Sequence, residues 1–222
     1  MIVLAEDLTR YALEVAEVYA INKRFAGFID YKRVRWFPTP YGLLPQVLLV
    51  DAKASTENNR DTLQQSQLPM DAEFVSSVAK GTVVRLTAGV PSHLEIPAVD
   101  DSLLLAVTTS VFIHFYYQET PGDPATSREL RDIFVLGIPH SRLKPKYNPT
   151  PDVTFFGQGK HSPARGEEPR IRVYFHRLRS ACPWRLQHLT YSGSTDGFTL
   201  PMWRDVDDSG TETNEAFLYL QR

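Results

Sequence analysis

The sequence predicts a single domain of mixed α/β type. One amphipathic helical pattern opens the chain, several strand-like apolar runs follow, and neither a repeat nor a linker divides them. A length of 222 residues is enough for one well-cored domain.

Residues 5–22 read as the helix, because Leu4, Leu8, Tyr11, Val15, Val18 and Tyr19 fall on one stripe that should face the core. FIDYKRVRWF (28–37) and QVLLVDAK (46–53) read as two strands, joined by the turn chemistry of Pro38-Thr39-Pro40-Tyr41-Gly42. The amide-rich stretch 55–69 predicts a short helix and a loop. Further strands are predicted over 82–88, 104–117, 133–138, 170–175 and 217–220. Between them, 140–169 is rich in Pro and Gly and lacks periodicity, which predicts a long surface loop.

The single cysteine, Cys182, excludes an intrachain disulfide framework and suits a reducing compartment. No apolar run approaches the roughly 18 residues of a membrane span. The start, MIVLAEDLTRY, carries acids where a secretory signal needs bases. These features predict a cytoplasmic protein with no membrane partner.

The net charge of −2 hides an asymmetry. Between His140 and Arg185 stand ten basic residues and three acids, so that segment is strongly positive on an otherwise acidic chain. A polyanionic partner and a solvated surface both account for it.

The run LPQVLLVDAKAST raises a sharper question, since an apolar stretch ends in Asp51-Ala52-Lys53. A hairpin turning over 38–42 brings Asp30 opposite Asp51, about 5 Å away if they are directly paired. Lys53 shares the face of Asp51. Like charges opposed across a ladder destabilise it unless a cation offsets them. Magnesium accepts one or two carboxylates together with water and phosphate oxygens. Asp30, Asp51 and Lys53 are therefore the minimum set for metal-assisted phosphodiester hydrolysis, with Asp30 and Asp51 as metal ligands and Lys53 steadying charge on the phosphate. The D-x-K tripeptide alone is weak. The hairpin register, the acidic helix and the basic segment strengthen it.

Asp30 followed by VLLVDAK resembles the PD-(D/E)xK nuclease signature, with Ile29 in place of Pro and Asp51 in place of Glu. LAEDLTRYALEVAEVY, FAGFIDYKRVRW, GLLPQVLLVDAKAST, GKHSPARGE, RIRVYF and ACPWRLQ resemble, over nearly the whole chain, the SfiI family of type II restriction endonucleases. The resemblance implies a PD-(D/E)xK restriction-endonuclease-like fold, a central mixed β-sheet flanked by helices. It implies a Mg²⁺-dependent endonuclease acting on double-stranded DNA at the interrupted palindrome GGCCNNNNNGGCC and leaving 3′ overhangs. It further implies a homotetramer, a dimer of dimers, that bridges two DNA sites. Asp30, Asp51 and Lys53 become its catalytic residues, and the helix is expected to add an acid, with Glu14 the candidate. Family members carry a further N-terminal segment, so contacts made by such a segment are not supplied by these residues. The whole chain, 1–222, is then one endonuclease domain, with a catalytic core over about 1–120 and a DNA-reading and assembly part over about 121–222.

A site of G·C pairs calls for donors to guanine O6 and N7, most often arginine. Strand alternation puts Arg170 and Arg172 on one face, and with the resemblance they are the base-reading candidates; solvated arginines are the plainer reading. Lys160, His161, Ser162 and Arg165 suit phosphate contacts, as do Lys144 and Lys146. His114, inside VFIHFYY, reads as a core or sheet-face histidine, Cys182 as packing, and Ser110 and Ser141 as lacking a nucleophile's partner. A DNA-binding module without catalysis, or a repair nuclease of the same fold, remain the alternatives.

Overall fold

A computed structural model describes residues 2–16, 19–20, 30–56, 62–65, 72–75, 81–86, 93–97, 102–119, 128–140, 152–159, 171–182, 185–191 and 203–205. Helix α1 spans Ile2–Val15 and is followed by a short strand β1, Tyr19–Ala20. The hairpin strands are β2 (Tyr31–Thr39) and β3 (Gly42–Ser55), longer at the turn than the sequence predicts. Gly42 takes φ +115°, a left-handed value that costs glycine no side-chain clash. Then come β4 (Thr62–Gln65), β5 (Ala72–Val75), β6 (Val83–Leu86), β7 (His93–Pro97), β8 (Leu103–Glu119) and β9 (Arg128–Pro139). A 3-10 turn at Asp152–Thr154 precedes β10 (Phe156–Gln158), β11 (Ile171–Tyr174), helix α2 (Phe175–Ala181), β12 (Leu186–Tyr191) and β13 (Trp203–Asp205).

The main sheet runs β1-β2-β3-β8-β9-β12-β13, with β7 also on β8. The β3–β8 pair is parallel and its neighbours are antiparallel, which makes the sheet mixed. The sheet runs across residue 120, because β8 pairs with β9 from Thr109↔Pro139 to Glu119↔Arg128. Two smaller sheets stand apart, β10-β11-β4 and β5-β6.

Four expectations are corrected. The helix expected over 5–22 ends at Val15, and Tyr19–Ala20 form a strand instead. Residues 62–65 form a strand paired with β11 where a helix and loop were expected, because Ile171–Tyr174 offers its edge to them. The stretch 140–169 is not all loop, since 152–158 holds the 3-10 turn and β10, anchored by buried Phe155 and Phe156. Helix α1 turns Ala5, Thr9 and Leu13 inward, leaving Tyr11 67% and Val15 63% exposed, so the larger apolar stripe is not the packed one. Close approach to the sheet favours the small side chains. The predicted strand at 217–220 lies outside the described residues.

The core has three parts. The largest joins Phe112, Phe134, Leu136 and Ile138 of the sheet to Phe155, Phe156, Ile171, Phe175 and Leu178. A second gathers Val34, Val47, Leu49, Leu94, Ile96 and Ala106. The third seats Ala5 of α1 on Phe115 and Tyr117. Together they grip β3 and β8, the strands that carry the site.

Candidate active site

The ladder of β2 and β3 runs from Thr39↔Gly42 to Tyr31↔Val50, so Asp30 and Asp51 stand at the next step beyond it. Asp30 is exposed, just ahead of β2, while Asp51 is 2% exposed inside β3. One oxygen of Asp30 accepts a 2.7 Å hydrogen bond from the backbone N–H of Ala52, which fixes its carboxylate beside Asp51. Lys53 Nζ lies 2.9 Å from Asp51 Oδ1 and 2.7 Å from Oδ2. The three residues predicted from the hairpin register are thus brought together.

Burial pushes the Asp51 carboxyl up to about 7, with the Asp30 charge adding to the rise and Lys53 opposing it. Once Asp51 is ionised, two carboxylates face one ammonium, an excess of negative charge with one of the two acids buried. A hard divalent cation that takes two protein oxygens and fills its remaining positions with water and phosphate fits that donor set. Among the described residues no group of three or more His, Cys, Asp and Glu side chains gathers to hold a metal.

Helix α1 meets this site through its first half. The Tyr31 hydroxyl donates a 2.8 Å hydrogen bond to the Glu6 carbonyl, and the Tyr31 hydroxyl is pushed up by burial, then by the charges of Asp30 and Glu6. Tyr31 thus ties the half-buried Glu6 turn of α1 to the start of β2, whereas Glu14 is exposed. Glu14, the acid expected of the helix, is thus not turned toward the strands. Tyr31 was not singled out from the sequence, and its place directly after Asp30 was the available signal.

Arg172 sits in the middle of β11, opposite Gly157 on one side and Gln64 on the other, half-buried. Its Nε is buried and has no hydrogen-bond partner. Arg170, Lys160, His161, Ser162 and Arg165 lie outside the described residues, as do Lys144 and Lys146. His114 and Cys182 are buried, as expected of packing residues. Ser110 does have a histidine partner, His140 Nε2 at 2.8 Å, but both are fully buried and the pair ties β8 to the end of β9.

A family model described as type II restriction enzyme SfiI matches residues 2–189. The chain belongs to that family. A type II restriction enzyme SfiI of Streptomyces fimbriatus is 64% identical over all 222 residues, which cover 82% of the relative's length. Among solved structures, tetrameric SfiI bound to cognate DNA matches with a TM-score of 0.72 and 65% identity, covering 96% of this chain and 78% of that one. The restriction endonuclease BglI bound to its DNA recognition sequence matches with a TM-score of 0.60 at 17% identity, over 83% of this chain and 68% of that one, a likeness of fold. The mixed sheet with flanking helices is therefore the restriction-endonuclease fold. No helix among the described residues is long and apolar enough to cross a membrane.

Proposed function

We propose that this type II restriction enzyme makes Mg²⁺-dependent double-strand cuts in DNA at an interrupted, GC-rich palindrome of the GGCCNNNNNGGCC kind, leaving 3′ overhangs. The observation that carries the chemistry is the Asp51–Lys53 contact of 2.7 Å with Asp30 fixed beside it at the mouth of the site. Kinship at 64% identity supports the target class.

Asp30 and Asp51 would hold the cation. When bound there, magnesium polarises a phosphoryl oxygen and makes a bound water more acidic. Lys53, anchored by Asp51, presents its ammonium where charge builds on the phosphate during attack. Asp30 is the more exposed acid and meets incoming phosphate first, while buried Asp51 fixes the direction of Lys53. Arg172 reads a base edge, with Arg170 as its proposed companion. Lys160, His161, Ser162 and Arg165 hold phosphates. The chain works as a homotetramer on two double-stranded DNA sites, a reading supported by the tetrameric state of its DNA-bound relative.

Digestion of a sequenced plasmid with Mg²⁺, followed by mapping of the ends, tests this reading. Discrete fragments ending within the palindrome, with 3′ overhangs, are expected. A smear, or binding without any cut, would replace it with one of the two alternatives, a nuclease of other target or a DNA-binding module.

A further inference from the structure

The small sheet β10-β11-β4 has one face in the core and one outside it. Ile171 and Val173 of β11 are buried, so Arg172 and Tyr174, both half-buried, belong to the outer face. Gly157 on β10 is the ladder partner of Arg172. Its missing Cβ leaves room for the Tyr174 ring, since a Cβ there would meet Tyr174 Cε2 at 2.6 Å. The guanidinium of Arg177, exposed on α2, lies over that ring at 4.4 Å from its centroid. We propose that Arg177 is a DNA-phosphate contact at the edge of the base-reading face, and that Tyr174 is the positioning residue that holds its guanidinium ready. This deepens the reading of the chain as a DNA endonuclease with Arg172 on a base edge, and it rests on that reading.

Three features carry the assignment. The first is that Arg177 is not committed to an acid. Arg10, Arg85 and Arg131 each pair with a carboxylate, at 3.0, 2.8 and 2.8 Å. Among the described residues Arg177 makes no ion pair or hydrogen bond, and its partner is the Tyr174 ring. The second is what that ring does to the cation. A guanidinium held over a ring is attracted as a charge to the π face, and it keeps N–H donors in its own plane for other acceptors. A phosphate offers only acceptors, and the planar fork fits two of its oxygens. Resting on the ring, the side chain also has less rotamer freedom to lose on binding. The third is placement. Tyr174 stands about 6.6 Å along the strand from Arg172 on the same face. A major groove is about 12 Å wide, so where Arg172 reaches a base edge its outward neighbour stands near the phosphate rim.

Binding in Ca²⁺ across a salt series tests this. The duplexes are a cognate, single-mismatch and random set, with cognate duplexes in which one phosphate at a time is a neutral methylphosphonate. Arg177→Ala should weaken cognate and random duplexes alike, by about tenfold at low salt, and should lower the salt slope by about one unit. One methylphosphonate should weaken wild type similarly, and on that duplex Arg177→Ala should add almost nothing. Arg177→Lys should keep the salt slope, because the charge stays, and lose part of the affinity with the fork. Tyr174→Phe, which keeps the ring, should bind as wild type does. Tyr174→Leu should weaken binding by about threefold, the scale of a cation over a ring. In an Arg177→Ala background it should cost almost nothing, a coupling that a merely structural tyrosine would not show. The proposal is overturned if Arg177→Ala leaves affinity and salt slope unchanged, if its loss is confined to one base pair, or if Tyr174→Leu costs the same with and without Arg177. Arg172→Ala, measured in parallel, keeps the two readings apart. If it weakened every duplex equally while Arg177→Ala behaved as described, the base reading would fail and the phosphate contact would stand. A wild type that binds no duplex would remove the endonuclease reading and this one with it.

Discussion

Asp51 is a carboxyl group that the fold holds against its own ionisation, and the consequence is measurable in the metal-free protein. Its folded value of about 7 lies above the ordinary 3.8, so the folded chain keeps a proton that the unfolded chain has released between those pH values. Stability therefore falls as pH rises through that window and levels off above about 7. The penalty is of order 4 kcal/mol at its largest, by about 1.4 kcal/mol for each pH unit. Asp51→Asn, which cannot ionise, should melt higher than wild type at pH 8 without metal and equally at pH 4. Added Mg²⁺ should raise the melting temperature of wild type and leave the variant unmoved. Equal pH profiles for the two proteins would mean that the site does not strain Asp51. Cleavage should be lost in Asp51→Ala, Asp30→Ala and Lys53→Ala alike, with DNA binding in Ca²⁺ retained, because Ca²⁺ coordinates loosely and activates water poorly. A variant that still cut near the wild-type rate would have no place in the active site.

At the scale of elements, β11 is held from both sides, and Gly157 shows how closely. A Cβ there would come within 2.6 Å of Tyr174 Cε2 and 3.0 Å of its hydroxyl. That ring also carries Arg177 at 4.4 Å from its centroid. Gly157→Ala should displace Tyr174 and destabilise the fold by about 1–3 kcal/mol, and Gly157→Ala with Tyr174→Leu should recover most of it in thermal melts. No loss in the single variant would show that the ring moves freely. Arg172, the ladder partner of Gly157, should behave as a reader. Arg172→Ala should cost about 1–3 kcal/mol at one base pair with little change in salt slope. Uniform weakening on cognate, mismatched and random duplexes would make it a backbone contact. The hairpin was legible because turn residues fix a register, and one register places Asp30, Asp51 and Lys53 together. The two long strands β8 and β9 were legible from their apolar runs. Helix α2 was not, because FHRLRSA follows RIRVY without a capping side chain to mark the change from period two. Nor was β4, whose four residues TLQQ become a strand by pairing with β11, a partner far along the chain. The orientation of α1 was misread because apolar size was taken to predict burial, whereas a close seat on Phe115 selected Ala5.

For the whole molecule, the sheet supplies one Asp30–Asp51–Lys53 site per chain, suited to one scissile phosphate. Cutting both strands of a palindrome then needs two chains related by a twofold axis that matches the symmetry of the DNA. A second dimer joined to the first adds no chemistry at either site. It changes the encounter with DNA, because once one pair of chains is bound, the other meets a second site on the same molecule at an effective concentration set by the intervening DNA. A plasmid with two recognition sites should therefore be cut faster than one with a single site, by about tenfold or more at enzyme concentrations below the affinity for a lone site. Raising salt should slow both plasmids, as expected of the phosphate contacts proposed for Lys160 and Arg165. The advantage of two sites should survive as long as the assembly does. Sedimentation at the same concentrations decides between assembly and chance. A species of four chains with a two-site advantage supports the bridging complex, whereas a dimer that cuts both plasmids at equal rates would reduce the working unit to the single twofold pair.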